Sequence, residues 1–395
     1  MKITTTCSLG LLMIICSIAT AQQVVPSPSL PCPAPPIKSV IDWPQFHFVS
    51  CHTGFNPYEF VLSPATVGNL GLHWQYWIGL EVFSSPTVAN GVVYVGANFG
   101  AYALNASTGA LLWQYTTGNT VYSSPAVANG ILYFTSNDSI VYALNANTGA
   151  LLWRYTTGDS STSSPTVANG VVYVGSHDHN VYALNASTGA LRWKYTTGDN
   201  VDASPTAANG VVYVVSHDHN LYALNASTGA LLWKFTGNFF DASPAVANGV
   251  VYIGSDHLYA LDASTGALLW KYTAEFFDSS PAVANGVIYV GSGDFNVYAF
   301  NASTGALLWK YPTGSYIDSS PAVANGVVYI GSLDDNLYAL NANTGALLWQ
   351  YTTGNWVLSS PTVANGVVYV GSYDDNLYAF GLSGERPSLP DLHKP

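Results

Sequence analysis

Charge is scarce in this sequence. Of 395 residues only 8% are Asp, Glu, Lys or Arg, and ten cations stand against 22 acids. The net charge of −12 argues against a nucleic-acid partner, because phosphate binding needs clustered Lys and Arg. Long apolar runs are missing too. The best candidate, Leu9 to Ile15, is short and gives way to small and polar residues, so membrane insertion is not expected. Cysteines number four, with no two adjacent and no Cys-x-x-Cys-His, which excludes covalently attached c-type haem. What is abundant is apolar: 49% hydrophobic, 13% aromatic, and 36 glycines. That composition can fill a large core and favours strands and turns over helices.

The first 21 residues read as an export signal: Lys2, the apolar stretch Leu9 to Ile15, then the small-x-small site Ala19-Thr20-Ala21. Ile15 stands before Cys16 where a lipid-attachment site wants a small residue. The expectation is therefore simple export, to a periplasm or outside the cell. Cleavage leaves Cys32 and Cys51. In an oxidising compartment these are expected to pair, the alternative being two unrelated thiols. Residues 22–40 form a proline-rich linker, and 383–395 read as a disordered tail.

The rest is a repeat. A Ser-Ser-Pro or Ala-Ser-Pro element recurs at Pro86, Pro125, Pro165, Pro205, Pro244, Pro281, Pro321 and Pro361. Each unit parses into four short strands, as in SPAVA, VVYIG, LYAL and ALLWQY of residues 320–351. Every unit carries Asn-Gly between its first two strands, which favours a two-residue hairpin turn. Both faces of the strands read as apolar, as sheets stacked between neighbours should. The regular part opens with a lone fourth strand around Trp74 and ends with three strands at Phe380. One and three make a blade. The fold class is all-β: an eight-bladed β-propeller of four-stranded antiparallel blades, closed by an N-terminal strand that completes the last blade. It spans residues 41–382, with 41–64 an aromatic-rich lead-in that packs against the ring. Trp74, Trp113, Trp153, Trp193, Trp233, Trp270, Trp309 and Trp349 recur in the fourth strands and are assigned to packing between blades.

The run from Ala103 to Trp113, repeated as Ala260-Leu-Asp262-Ala-Ser-Thr-Gly266-Ala-Leu-Leu-Trp270, resembles the tryptophan-docking motif of the pyrroloquinoline quinone (PQQ) repeat family. The resemblance covers roughly residues 41–382 and recurs in register. It implies a propeller, but the family includes both quinoprotein alcohol dehydrogenases and non-catalytic propellers such as the assembly protein BamB. Fold alone therefore leaves function open. The dehydrogenases resemble one another in long insertions and an adjacent cysteine pair; this chain has near-uniform blades and no adjacent cysteines.

The copies differ in the second-to-third turns and the inter-blade loops, which share one face of the disc. Nine acids fall in those turns and eight in those loops, and no Lys or Arg does. Asp202, Asp241, Asp278 and Asp318 stand three residues before successive prolines, with Phe239, Phe240, Phe276, Phe277, Tyr316 and Trp356 nearby. Equivalent positions converge on a ring axis, so Asp202, Asp241, Asp278, Asp318, Phe239, Phe276, Tyr316 and Trp356 are the candidate binding mouth, for calcium, a sugar or a basic peptide. The alternative is that each Asp caps its own turn and each aromatic fills a gap. Two SHDHN turns supply His177, His179, His217 and His219, weak metal candidates by residue type alone.

The leading expectation is an exported, monomeric, non-catalytic scaffold whose acidic face meets a protein or cation. No catalytic residue and no cofactor is assigned. The alternatives are a PQQ- and calcium-dependent dehydrogenase, with one of the four mouth aspartates as base, and a carbohydrate-binding propeller. PQQ carries three carboxylates, and its binding needs Arg, Lys or a bound calcium ion.

Overall fold

The computed structural model describes residues 42–238, 241–273 and 276–383. The expected leader, the linker and the tail beyond Ser383 lie outside the described residues, as do Phe239 and Phe240. Eight antiparallel four-stranded blades follow one another along the chain. Blade 1 is typical: Thr87–Ala89, Val92–Ala97, Gly100–Asn105 and Leu111–Thr116. Asn90 and Gly91 join its first two strands with φ of 52° and 75°, the left-handed pair that a tight hairpin requires. The same conformation recurs at Asn129, Asn169, Asn209, Asn248, Asn285, Asn325 and Asn365. The eighth blade is composite: Leu70–Trp77 pairs antiparallel with Asn376–Leu382, in register from Leu70 opposite Leu382 to Trp77 opposite Asn376. The ring is closed by the strand that the sequence singles out.

Burial departs from the sequence expectation in one strand. The second and third strands are buried on both faces, but the fourth alternates between exposed and half-buried residues. It is the outer edge of each blade, so one row of its side chains meets water. The other row, Trp and Tyr, turns toward the next blade.

The joint between blades is built from three recurring contacts. Each fourth-strand indole donates to a backbone carbonyl of the following blade, from Trp74 to Ala106 O around to Trp349 and Leu70 O, at 2.9–3.1 Å. In seven of the eight joints, all but that of Trp349, the indole also lies on the turn glycine of that blade. A Cβ on Gly149, at φ +70°, would sit 2.8 Å from the Trp113 ring. The glycine of the motif thus accepts the tryptophan of the blade before it, rather than serving its own. Nearer the axis, the second serine of each Ser-Pro element donates its N–H to the serine hydroxyl of the next. The chain runs Ser85, Ser124, Ser164, Ser204, Ser243, Ser280, Ser320, Ser360 and back to Ser85, at 2.9–3.1 Å throughout.

The lead-in enters the axis of the ring. The innermost strands leave N–H groups facing that axis, and such groups need partners. Residues 43–54 supply them. Val88 donates to Trp43 O, Val127 to Pro44 O, Val167 to the Gln45 side chain, and Ala207 to Ser50 O. Val246, Val283 and Val323 donate to Cys51 O, Thr53 O and Gly54 O. In blade 8 the Asn56 amide donates to Val363 O. Phe55–Asn56 also lies parallel to Ala322–Ala324 as a fifth strand of blade 7. Asp42 accepts from Asn90 N, and Glu59 from Gly366 N, so the segment enters and leaves on the face of the constant turns. Among the described residues the lead-in makes its contacts at the axis and the constant turns and not on the variable face. Cys51 is disulfide-bonded; its expected partner, Cys32, lies outside the described residues. No helix among the described residues is long and apolar enough to cross a membrane.

Two consequences can be measured. Deleting residues 65–80 removes the closing strand and bares a blade edge; the expected product associates and melts earlier than the full chain, read by light scattering and thermal unfolding. The second concerns His47, fully buried, whose pKa burial pushes down to about 4 from 6.5. Burial, reinforced by His47, also holds the neighbouring His52 well below its usual value. A depressed folded-state value means the stabilisation is whole above pH 6.5 and is lost as pH falls toward 4. The melting temperature of the wild type should therefore drop across that window, and that of His47→Gln should drop less.

Candidate functional site

Eight loops meet around the open end of the axis. At the position three residues before each proline they carry Phe83, Tyr122, Thr162, Asp202, Asp241, Asp278, Asp318 and Leu358. The carboxylates occupy blades 4–7, where the sequence locates them. The structure adds histidine. His177, at the first position of its turn, bonds Ser160 Oγ through Nδ1 at 3.0 Å and Asp202 through Nε2. His217 reaches Asp202 Oδ2 at 3.3 Å and Asp241 Oδ1 at 3.1 Å. Imidazole and carboxylate alternate across blades 3, 4 and 5. Of the four histidines singled out by residue type, these two enter the mouth. His179 sits at φ 66° and is 3.9 Å from Asp199; His219 has the same left-handed backbone. The turn geometry sends the first and third residues different ways. No group of three or more His, Cys, Asp and Glu among the described residues is arranged to hold a metal ion.

Burial acts on the carboxylates of the mouth. The four aspartates are reachable by water yet surrounded by protein. Burial raises the Asp241 pKa, opposed by His217 and aided by Asp278 and Asp202. Burial raises Asp278 as well. Asp318 is pushed up to about 6 by burial, then by Asp278 and Asp241. The turn aspartates behave differently. Asp178 accepts from Gly158 N at 2.8 Å, Asn180 N at 3.1 Å and the Tyr182 hydroxyl. Burial pushes Asp178 up, but these bonds outweigh it and the pKa ends below the usual value. The same clasp recurs at Asp138, Asp218, Asp334 and Asp374. Those acids tie a turn to the loop before it. Their repetition four residues before a tyrosine was the available sign of that role.

The rest of the mouth is aromatic, and most of it has no local signature in the sequence. Phe83 lies edge-on to Tyr122 at 4.6 Å and to Tyr373 at 4.5 Å. Trp356 packs on Tyr373 at 5.6 Å, and Phe295 on Tyr316 at 4.9 Å. Phe276, Tyr316 and Trp356 remain 57%, 52% and 45% exposed. Phe277, by contrast, is fully buried between blades. The Tyr373 hydroxyl is pushed up to about 12 by burial, then by Glu81, Tyr122 and Asp318. The aromatic and acidic sides therefore share one opening. The six Lys and Arg among the described residues (Arg154, Arg192, Lys194, Lys234, Lys271, Lys310) all lie on fourth strands, away from it.

A carboxyl whose pKa is raised on folding binds its proton more tightly in the folded state, so stability falls as pH rises through it. For Asp318 that window runs from 3.8 to about 6. Asp318→Asn is expected to melt higher than the wild type above pH 6 and to converge with it near pH 4. A pH series of thermal melts of both proteins checks this.

Comparison with known proteins bears on the family. A family model described as outer membrane protein assembly factor BamB matches residues 71–164, 137–238, 221–316 and 294–386. Among solved structures, the chain is similar to a europium-containing methanol dehydrogenase with a TM-score of 0.76 and 16% identity, covering 87% of this chain and 99% of that one. It is similar to the quinohemoprotein alcohol dehydrogenase of Comamonas testosteroni (TM-score 0.75, 16% identity, 90% and 82% covered). It is also similar to BamB from Moraxella catarrhalis (TM-score 0.69, 20% identity, 79% and 99% covered). No curated protein sequence matches the chain. At such identities the structural likeness speaks for the fold alone, but the family match runs through the blades, and the chain belongs to the PQQ-repeat β-propeller family.

Proposed function

We propose that the protein is an exported, non-catalytic binding scaffold that receives its partner at the variable face. The observation that carries this is the chemistry of the mouth. Four carboxylates from blades 4–7 surround it, and every Lys and Arg among the described residues sits on the outer strands instead. The quinone of the family's name carries three carboxylates, and a buried anion needs a cationic partner. Burial has already raised Asp241, Asp278 and Asp318, with neighbouring carboxylates adding to Asp241 and Asp318, so further negative charge there is opposed. These residues do not fit the quinone, and no catalytic step is derived through it. The axis beneath is occupied by the lead-in, which supports a partner that meets the outer opening rather than one that enters the axis. Export is supported by the leader pattern of residues 1–21 and by the disulfide at Cys51, which needs an oxidising compartment such as a periplasm or the cell exterior.

Calorimetric titration of the mature protein with PQQ, with and without calcium, separates scaffold from dehydrogenase. The expected result is no saturable heat under conditions where a known quinoprotein responds. Calcium-dependent binding at micromolar strength or tighter would replace the scaffold with the enzyme.

A further inference from the structure

The aromatic side of the mouth is not needed to close the ring. Three residues before proline, blades 1, 2 and 8 carry Phe83, Tyr122 and Leu358, while blades 4–7 hold Asp and blade 3 holds Thr162. The serine ring runs unbroken past all of them. Two positions further back, Phe276, Tyr316 and Trp356 stand where blades 1–4 carry Glu81, Thr120, Ser160 and Asn200. Large rings held half in water at dispensable positions, and linked from Tyr122 through Phe83 and Tyr373 to Trp356, form an apolar patch of the kind that marks a contact site.

We infer that this aromatic wall is a docking surface for a peptide segment in which Lys or Arg alternates with aromatic or large aliphatic residues. The inference rests on the scaffold reading and names its partner's chemistry. Charge complementarity selects the occupant. The wall and the four carboxylates ring one opening, because Phe83 and Tyr122 hold in blades 1 and 2 the station that Asp202, Asp241, Asp278 and Asp318 hold in blades 4–7. An apolar partner would leave those carboxylates desolvated and unpaired, and an anionic one would be repelled. A cationic side chain can pair with them and can also lie on a ring face. Asp202 and Asp241, of blades 4 and 5, are already engaged by His177 and His217, so Asp278 and Asp318 are the charges open to the partner. Alternation matters because carboxylate and ring come from the same loops, Asp278 with Phe276 and Asp318 with Tyr316, and an extended segment offers charged and aromatic side chains in turn.

The test is fluorescence anisotropy of a labelled, alternating Lys-Phe peptide with the full mature protein. Alternating Lys-Ser and Glu-Phe peptides serve as controls. Lys-Phe is expected to bind at least about tenfold more tightly than either control. Trp356→Ala and the double variant Asp278→Asn, Asp318→Asn should each weaken it about tenfold with no loss of melting temperature, while Lys234→Gln on the rim leaves it unchanged. Equal binding of Lys-Ser, or indifference to Trp356→Ala, would reduce the site to a plain polyanion and overturn the inference. So would a folded protein that ignores Lys-Phe. If that failure comes with a silent quinone titration, the scaffold stands and only its partner class falls; if it comes with quinone binding, the scaffold falls too.

Discussion

Everything in this molecule hangs on the joint between one blade and the next. A four-stranded blade cannot bury its own faces, and the strands show it: the second and third are apolar on both sides. The indole of the fourth strand covers that surface, rests on the next blade's left-handed glycine and donates to the next blade's carbonyl. Burying an indole removes about 150–250 Å² from water, worth on the order of 4–6 kcal/mol as an upper figure. Repeating it at each joint makes stability a sum over neighbours. Closure through Leu70–Trp77 turns that sum into a ring without an end.

Closure also decides where variation is tolerated. Residues inside the joint recur because each must match the next copy. Loops on the variable face anchor in the joint through single buried residues such as Val201, Phe277 and Ile317, which leaves the next station free for one blade to present Asp and another Phe. The axis is the second constraint. A ring of inner strands leaves unpaired N–H groups, and the lead-in satisfies them one blade at a time. A segment that first looks like mere packing is thereby the floor of the site, and it confines any partner to the outer opening.

Much of this was legible in advance. Asn-Gly turns, the tryptophan period and the split blade can be read directly, because strand and turn preferences act over a few residues. The convergence of Asp202, Asp241, Asp278 and Asp318 was legible too, since equal stations in a ring share a radius. The histidines were only half legible. Two copies of SHDHN offer four candidates, and side-chain direction within the turn admits His177 and His217 alone to the mouth. Phe83, Tyr122 and Tyr373 went unnoticed because they come from different loops and turns, and nothing local connects them.

The sequence by itself determined the blades, their number, their closure and the separation of acidic loops from basic outer strands, because each follows from local pattern repeated in register. Tertiary structure alone decided which of those residues meet. Contacts such as His217 with Asp241, or Phe83 with Tyr373, join positions from different blades and depend on the curvature of the closed ring. The course of the lead-in was likewise beyond local pattern: its partners are backbone N–H groups, which every residue but proline possesses, and only the finished ring leaves them unpaired on one axis.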